Sequence, residues 1–352
     1  MTEHYGVIGL MSGTSMDGLD IVYAVFSENA GTWKYDIRES ETLEYPSLWL
    51  KKLSQAFYLD QEALALLDVE YGQYLGKAIK RFMEEKQVCV DLVASHGHTI
   101  FHEPENGFTL QIGCGKEIHK LINIPVAYNF REQDVKLGGQ GAPLVPIGDK
   151  LLFGEFDVCL NLGGIANLSH DENGHRIAYD ITFCNMALNY LSGQKGMAFD
   201  EGGRLARKGK VNQEMLFQLN NLPYFEKNPP KSLGREWFEN EVKAIIDKNN
   251  CLVEDKLASC VEHVAMQLAN SINGLGMKNI LITGGGAFNI FLIERIKYHV
   301  QAEAIVPDSQ LVSFKEALVF AFLGLRRKRG EINVLSSVTG ASEDHVAGDL
   351  VV

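Results

Sequence analysis

The chain has 352 residues, 46% of them hydrophobic, and a formal net charge of −12. A chain of this length can bury one large core or, more in keeping with its size, two. Its acidic balance argues against a nucleic-acid binder working through a basic face, but not against a phosphate site built from backbone N–H groups.

The six cysteines are Cys89, Cys114, Cys159, Cys184, Cys251 and Cys260. None forms a C-x-x-C pair, so they read as reduced thiols rather than as zinc ligands or a disulfide framework. The N-terminus, MTEHYGVIGLMSGTSMDGLD, lacks the basic and then apolar order of a signal peptide. No uncharged apolar run approaches the roughly 20 residues that span a bilayer. The expectation is a cytoplasmic protein without membrane or nucleic-acid partners.

The first apolar run, Tyr5 to Met11, is followed by a Ser/Gly/Thr turn and then Leu19 to Phe26, which predicts strand, turn, strand. Tyr35 to Tyr45 predicts a third strand. Leu48 to Met83 has helical spacing. Leu92 to Ser95 is a short strand delivering the segment HGHTIFHE. In the second half, Phe156 to Leu162, the turn Gly163-Gly164 and Ile165 to Ser169 repeat the opening pattern. Asn173-Gly174 is a hairpin signal, Arg176 to Thr182 the next strand and Met186 to Leu191 a helix. Strand, glycine turn, strand, turn, strand thus occurs twice, about 150 residues apart, which suggests two related α/β lobes. Val261, Val264, Ala265, Leu268, Ala269 and Ile272 form an apolar helical stripe. Asn279 to Thr283 is a buried strand running into Gly284-Gly285-Gly286, where open α/β sheets place ligands. Asn289 to Val300 and Lys315 to Arg329 are helices.

Seven places carry groups suited to chemistry. Ser12-Gly13-Thr14-Ser15-Met16-Asp17 is either a phosphate cradle, with Asp17 serving a Mg²⁺ ion, or a plain turn. Ser95 to Glu103 contains His96, His98 and His102, whose spacing across a glycine fits a polar sugar wall with Thr99 as well as it fits a metal site, or else a surface loop. Arg131 and Asp134 precede Gly138-Gly139-Gln140-Gly141; they are either substrate contacts or an ion pair framing a loop. Asn161 to Leu168 holds Gly163 and Gly164, a second possible cradle. Asp180 ends a strand, as a general base or as a helix N-cap. Gly284, Gly285 and Gly286 can admit an adenosine against the backbone. Glu316 opens a late helix, as a carboxylate near a metal or as a first-turn acid.

Seven ordered motifs, MSGTSMDGLD, HGHTIFHEP, FREQDVKLGGQGAPLVP, NLGGIANLS, LPYFEKNPPKSLGREWF, ITGGGAFN and SVTGASEDHVAGDL, resemble those of anhydro-N-acetylmuramic acid kinases, from about Gly9 to Leu350. The resemblance implies an α/β fold of two actin-like (ribonuclease H-like) lobes with an ATP- and sugar-binding cleft between them. The lobes would comprise residues 1–128 plus about 334–352, and 129–333. It implies an enzyme that hydrolyses the 1,6-anhydro bridge and phosphorylates O6, using ATP and Mg²⁺, in peptidoglycan recycling, and a homodimer. Asp180 matches the family's catalytic Asp, with Glu316 a carboxylate near the nucleotide and metal. Ser12, Gly13, Thr14, Ser15, Asp17, Gly163 and Gly164 would flank the phosphates, and Gly284 to Gly286 the adenosine. His98, Thr99, Arg131 and Asp134 would line the sugar pocket. One departure stands out. The family usually follows its Asp with Thr-Gly-Pro-Gly-Asn, whereas here Asp180 precedes Ile181-Thr182-Phe183-Cys184-Asn185. The competing readings are a sister kinase for another sugar, a catalytically weakened sugar sensor, and an Hsp70-like interaction protein.

Overall fold

Strand β1 (His4–Ser12) is buried without a break from Gly6 to Ser12. A strand covered on both faces needs such a continuous apolar run. It pairs antiparallel with β2 (Leu19–Asn29), which pairs antiparallel with β3 (Thr32–Leu43). β4 (Leu92–Glu103) lies parallel to β1, β5 (Phe108–Ile112) folds back antiparallel on β4, and β6 (Val126–Tyr128) runs parallel to β4. The computed structural model describes residues 3–13 and 16–352.

Two helices cover this first sheet. On one face Gln61–Lys86 starts at Asp60, whose carboxylate accepts from the Ala63 N–H at 2.9 Å, and stops at Gln87 in the left-handed region (φ 51°). It buries Leu67, Tyr71, Leu75, Ala78, Ile79 and Phe82 against Ile8, Leu10, Ile21 and Val93. Each such large apolar side chain contributes about 1.5–3 kcal/mol. On the other face the helix Ser309–Arg329 comes very close. A Cβ on Gly9 would lie 2.0 Å from the Ala317 carbonyl oxygen, and one on Gly324 would lie 2.4 Å from the Ala94 Cβ. The glycines are there because backbone must approach backbone.

In the second half β7 (Val158–Leu162), β8 (Ile165–Glu172) and β9 (His175–Phe183) form an antiparallel meander. β10 (Asn279–Thr283) joins β7 in parallel, and β11 (Glu303–Ile305) joins β10 in parallel. The Asn173-Gly174 turn has φ of 50° and 83°, as a two-residue hairpin requires. The helix Val253–Ile272 packs Leu257, Val261, Val264, Ala265, Leu268 and Ile272 onto the core of this sheet. The last strand, β12 (Asp349–Val351), returns to the edge of the first sheet, antiparallel to β6.

Among the described residues the first sheet runs β12-β6-β4-β1-β2-β3, with β5 off β4, and the second β11-β10-β7-β8-β9. Without β12 and β5, the two orders are the same. In each, the first strand of a meander sits centrally with two later parallel strands on its other side. The duplication read from sequence pattern is therefore present as topology. The chain divides into two compact units, Met1–Phe153 with Phe314–Val352, and Gly154–Ser313. The segments 129–153 and 314–333, which the sequence reading gave to the second lobe, belong to the first unit.

Gly9→Ala should cost about 2–4 kcal/mol, because the clash is with helix backbone rather than with a side chain that can turn away. Thermal unfolding checks this. A melting temperature within about a degree of the parent's would mean that the helix yields freely.

Candidate active site

The expected sugar and phosphate groups of the first unit separate into two sets. Ser12 and His98 are buried, at 2% and 4% exposure. Ser12 Oγ lies 2.8 Å from His98 Nδ1 and accepts from the Tyr45 hydroxyl at 2.7 Å, and Tyr45 meets the Tyr71 hydroxyl at 2.7 Å. Both side chains therefore take part in an internal hydrogen-bond chain. The cause is that β4 does not stop at Ser95 but carries the histidines inward as strand to Glu103. Among the described residues no group of three His, Cys, Asp or Glu could hold a metal ion, so the histidine-metal reading falls away. Thr99 is only partly buried and remains available, as does Gly13. Thr14 and Ser15 lie outside the described residues.

Arg131 spends three of its five N–H donors internally. Nε and one terminal nitrogen reach His96 Nε2 at 3.0 and 2.8 Å, and the other terminal nitrogen reaches the Gly141 carbonyl at 2.7 Å. His96 Nδ1 must then carry the proton, which it donates to the Gly97 carbonyl at 2.9 Å. Burial and the Arg131 charge push the His96 pKa well down. Asp134 is fully buried. Its Oδ2 accepts from the Gly141 N–H and its Oδ1 from the Thr339 hydroxyl, both at 2.6 Å. A Cβ on Gly139 would strike the same carboxylate, at 2.2 Å. Asp134 thus braces the glycine loop. It does so through Thr339, in the C-terminal SVTG motif.

Glu316 stands well inside the helix Ser309–Arg329, not in its first turn. Its side chain stays exposed, yet the protein crowding its carboxyl raises its pKa; Arg131 and Lys315 oppose that shift and Asp20 adds to it. Lys315, beside it, is buried against Asp149 at 2.6 Å and fixes this part of the helix. Asp20, which sequence reasoning passed over, accepts from the Thr42 hydroxyl at 2.6 Å. Its pKa is raised by burial and by Asp17, with Thr42 opposing. Asp17, Asp20 and Glu316 are thus hard oxygen donors, Asp20 feeling the charge of both others. Mg²⁺ uses one or two carboxylates and leaves its other positions to phosphates and water. Among the described residues no three of these groups come together as a metal cage, so the carboxylates suit that ion only as one or two ligands.

In the second unit the glycine turns converge on the ends of β7 and β10. The Gly164 carbonyl accepts from the N–H groups of Cys184 (2.8 Å) and Met186 (3.1 Å), and the Gly163 carbonyl from that of Asn185 (3.1 Å). The N–H groups of Gly163 and Gly164 have no protein acceptor among the described residues. The Asn185 amide donates to the Leu162 carbonyl at 3.0 Å. A Cβ on Gly284 would lie 2.4 Å from Asn161 Oδ1, and one on Gly286 2.7 Å from the Leu162 Cβ. Those two glycines permit packing against β7, and Gly285 alone of the three is exposed.

Asp180 lies in β9, three residues before the strand's end, and is not a helix cap; the next helix starts at Asn185 with no side-chain cap. Its Oδ2 accepts from the Leu233 N–H at 2.8 Å. Oδ1 has no protein donor among the described residues. Burial raises the Asp180 pKa, and the Leu233 bond partly offsets this. None of Ile181 to Cys184 has a positive φ, and Cys184 is at −138°. This backbone therefore does not need the glycines usual in the family. Cys184 is buried and its thiol is pushed up to about 12, so it is unreactive.

A sheet order repeated in two units, with glycine turns at the carboxyl ends of central strands, defines a ribonuclease H-like, actin-like α/β protein. The chain belongs to the anhydro-N-acetylmuramic acid kinase family: the family profile matches residues 5–352. It is 34% identical to the anhydro-N-acetylmuramic acid kinase of Saccharophagus degradans, over 97% of this chain and 98% of the relative. It is 31% identical to the enzyme of that name from Sulfurimonas denitrificans, over 99% of both. Among solved structures, component A of the (R)-2-hydroxyglutaryl-CoA dehydratase of Acidaminococcus fermentans aligns at 12% identity and a TM-score of 0.48, over 92% of this chain and 99% of that one. At that identity and score the likeness carries no function across.

Two stability predictions follow from these environments. His98 is lowered from 6.5 to about 4 by burial, and His263, bonded to Thr182 at 2.9 Å, to about 3. As pH falls below about 6.5 the unfolded chain takes up protons that the folded chain excludes, so stability declines with acid. For His98 alone the loss by about pH 4 is on the order of 3 kcal/mol. Chemical denaturation across this window should show a shallower slope for His98→Gln than for the parent; equal slopes would contradict the burial argument. Asp180 has the opposite sign. A raised carboxylate costs stability as pH climbs past its ordinary range, so Asp180→Asn should match or exceed the parent's melting temperature at pH 7.

Proposed function

We propose that the chain is an ATP-dependent kinase that opens the 1,6-anhydro bridge of 1,6-anhydro-N-acetylmuramic acid with water and phosphorylates O6. The products are N-acetylmuramic acid 6-phosphate and ADP, in recycling of cell-wall peptidoglycan. The observation that carries the reading is Asp180: one carboxylate oxygen is fixed by an N–H and the other is unengaged, in a setting that raises its basicity. Full-length kinship to enzymes named for this activity supports it.

In this reading Asp180 takes a proton from water as the water oxygen bonds to C1. The C1–O6 bond breaks, and its electron pair stays on O6. O6 bonds to the γ-phosphorus as the bond from that phosphorus to the bridging oxygen breaks, giving ADP. Release of the strained bicycle thus helps to drive transfer. The N–H groups of Gly163 and Gly164, with Gly13, meet phosphate oxygens. Gly285 is the open position for the adenosine, between Gly284 and Gly286. Thr99 and the two remaining N–H donors of Arg131 meet the sugar, Arg131 pairing its carboxylate. One or two of Asp17, Asp20 and Glu316 would hold Mg²⁺, which supplies charge neutralisation at the phosphates when bound.

A homodimer in the cytoplasm is part of the same proposal and rests on the family resemblance. Among the described residues no helix is long and apolar enough to cross a membrane. The sensor reading is weaker, because Asp180 keeps a bonded, raised carboxylate despite the altered turn.

Purified protein with ATP, Mg²⁺ and the anhydro sugar should release ADP and give a product heavier by one phosphoryl group (HPO₃) and one water. Asp180→Asn should lose at least about a thousandfold in kcat. ATP turnover only with other sugars would move the reading to a sister kinase. Sugar binding without turnover would favour the sensor.

A further inference from the structure

β9 is an edge strand of the second sheet. An edge leaves N–H and C=O groups unpaired unless something covers it. Asp180 sits opposite Asn167, next to a bulge at which Ile181 falls out of register. Its backbone groups are met from the segment that follows Leu222. The Asp180 N–H donates to the Lys231 carbonyl at 3.2 Å, and the Tyr224 hydroxyl donates to the Asp180 carbonyl at 2.6 Å. The Leu233 N–H then takes one carboxylate oxygen. One stretch of chain thus holds all three hydrogen-bonding parts of this residue.

That stretch is itself anchored. Tyr224 is buried, and its ring lies 5.4 Å from Trp237, with the Lys231 ammonium 4.8 Å from its centre. Leu222 is buried in the core and Phe225 packs against Trp237 and His263, while residues 226–230 are exposed. A cavity of about 320 Å³ opens beside it, lined by Tyr179, Ile181, Asn220, Pro229 and Lys231 among others. Beyond Phe225 the stretch is tied to the sheet by the hydrogen bonds of Lys231 and Leu233 with Asp180.

We propose that Leu222–Leu233 is a positioning strap: Tyr224 and the Leu233 N–H set the orientation of the Asp180 carboxylate, independently of the residues that follow Asp180 in the chain. The proposal rests on the reading of Asp180 as the base. Tyr224 and Leu233 are positioning residues, since they act through Asp180. The Leu233 N–H stabilises the ionised form. Its loss should raise the Asp180 pKa further and move the acid limb of the rate profile to higher pH.

The test compares Leu233→Pro, which lacks the N–H, with Leu233→Ala, which keeps it, and with Tyr224→Phe. In Leu233→Pro the acid limb of kcat/KM should move up by about one pH unit and kcat should fall roughly tenfold, while Leu233→Ala keeps the parent limb. Tyr224→Phe should lower kcat about fivefold with KM within about twofold. The Asp180 carboxyl, titrated by carbon-13 NMR, should shift in Leu233→Pro alone, a readout that needs no turnover. A folded Leu233→Pro with the limb and titration of Leu233→Ala would overturn the proposal. If Leu233→Pro does not fold, Tyr224→Phe decides, and parental kcat there overturns it. Full activity in Asp180→Asn would remove the reading beneath the proposal; a dead Asp180→Asn beside strap variants of parental kcat and parental pH limb would remove the strap alone.

Discussion

Backbone polar groups at strand ends and sheet edges have no ladder partner, and the site groups of each unit are organised by what meets them. In the second unit the turn after β9 supplies N–H donors to the carbonyls of Gly163 and Gly164, while the N–H groups of those glycines have no protein acceptor among the described residues. The edge of β9 at Asp180 is met by Lys231 and Tyr224. In the first unit a buried carboxylate does the corresponding work, since Asp134 satisfies the Gly141 N–H and ties it to Thr339. Each removal of one such partner would leave a buried group unpaired, at about 1–3 kcal/mol. Polar bonds at strand ends and sheet edges thus hold these segments in place.

This explains which parts of the chain could be read in advance. Strand order within each meander, the Asn173-Gly174 hairpin and the Val253–Ile272 stripe depend on local periodicity and turn chemistry, and they were legible. Ala30-Gly31 adopts the same left-handed turn, at φ 50° and 81°, but alanine does not announce it. β5 and the continuation of β4 through the histidines were missed, because a run of His, Thr and Phe carries no clear alternation. The onset of the helix at Ser309 was missed as well, which misplaced Glu316 in a first turn.

The site residues divided on a longer range. Ser12 and His98 look alike on paper whether they face a ligand or the core. Their fate is decided by Tyr45 and Tyr71, which arrive from other elements. Asp134 is decided by Thr339, 205 positions away. Asp20 was overlooked because nothing local marks it; its electrostatic link to Glu316 exists only in the folded unit. Motif resemblance names segments, but not which side chain in each segment is bonded inside the fold.

The departure after Asp180 follows the same logic. A glycine is obligatory where φ is positive or where a Cβ has no room. Neither holds at Cys184, whose φ is −138° and whose side chain fills part of the core beneath β7 and β9. What the turn must supply is three N–H groups aimed at Gly163 and Gly164, and any residue but proline can donate one. What Asp180 must keep is a fixed carboxylate, and that is held from Leu233, more than 50 residues onward. Cys184 still donates its N–H to Gly164 and Asp180 is held from elsewhere, so the loss of the glycines and proline is compatible with an intact base.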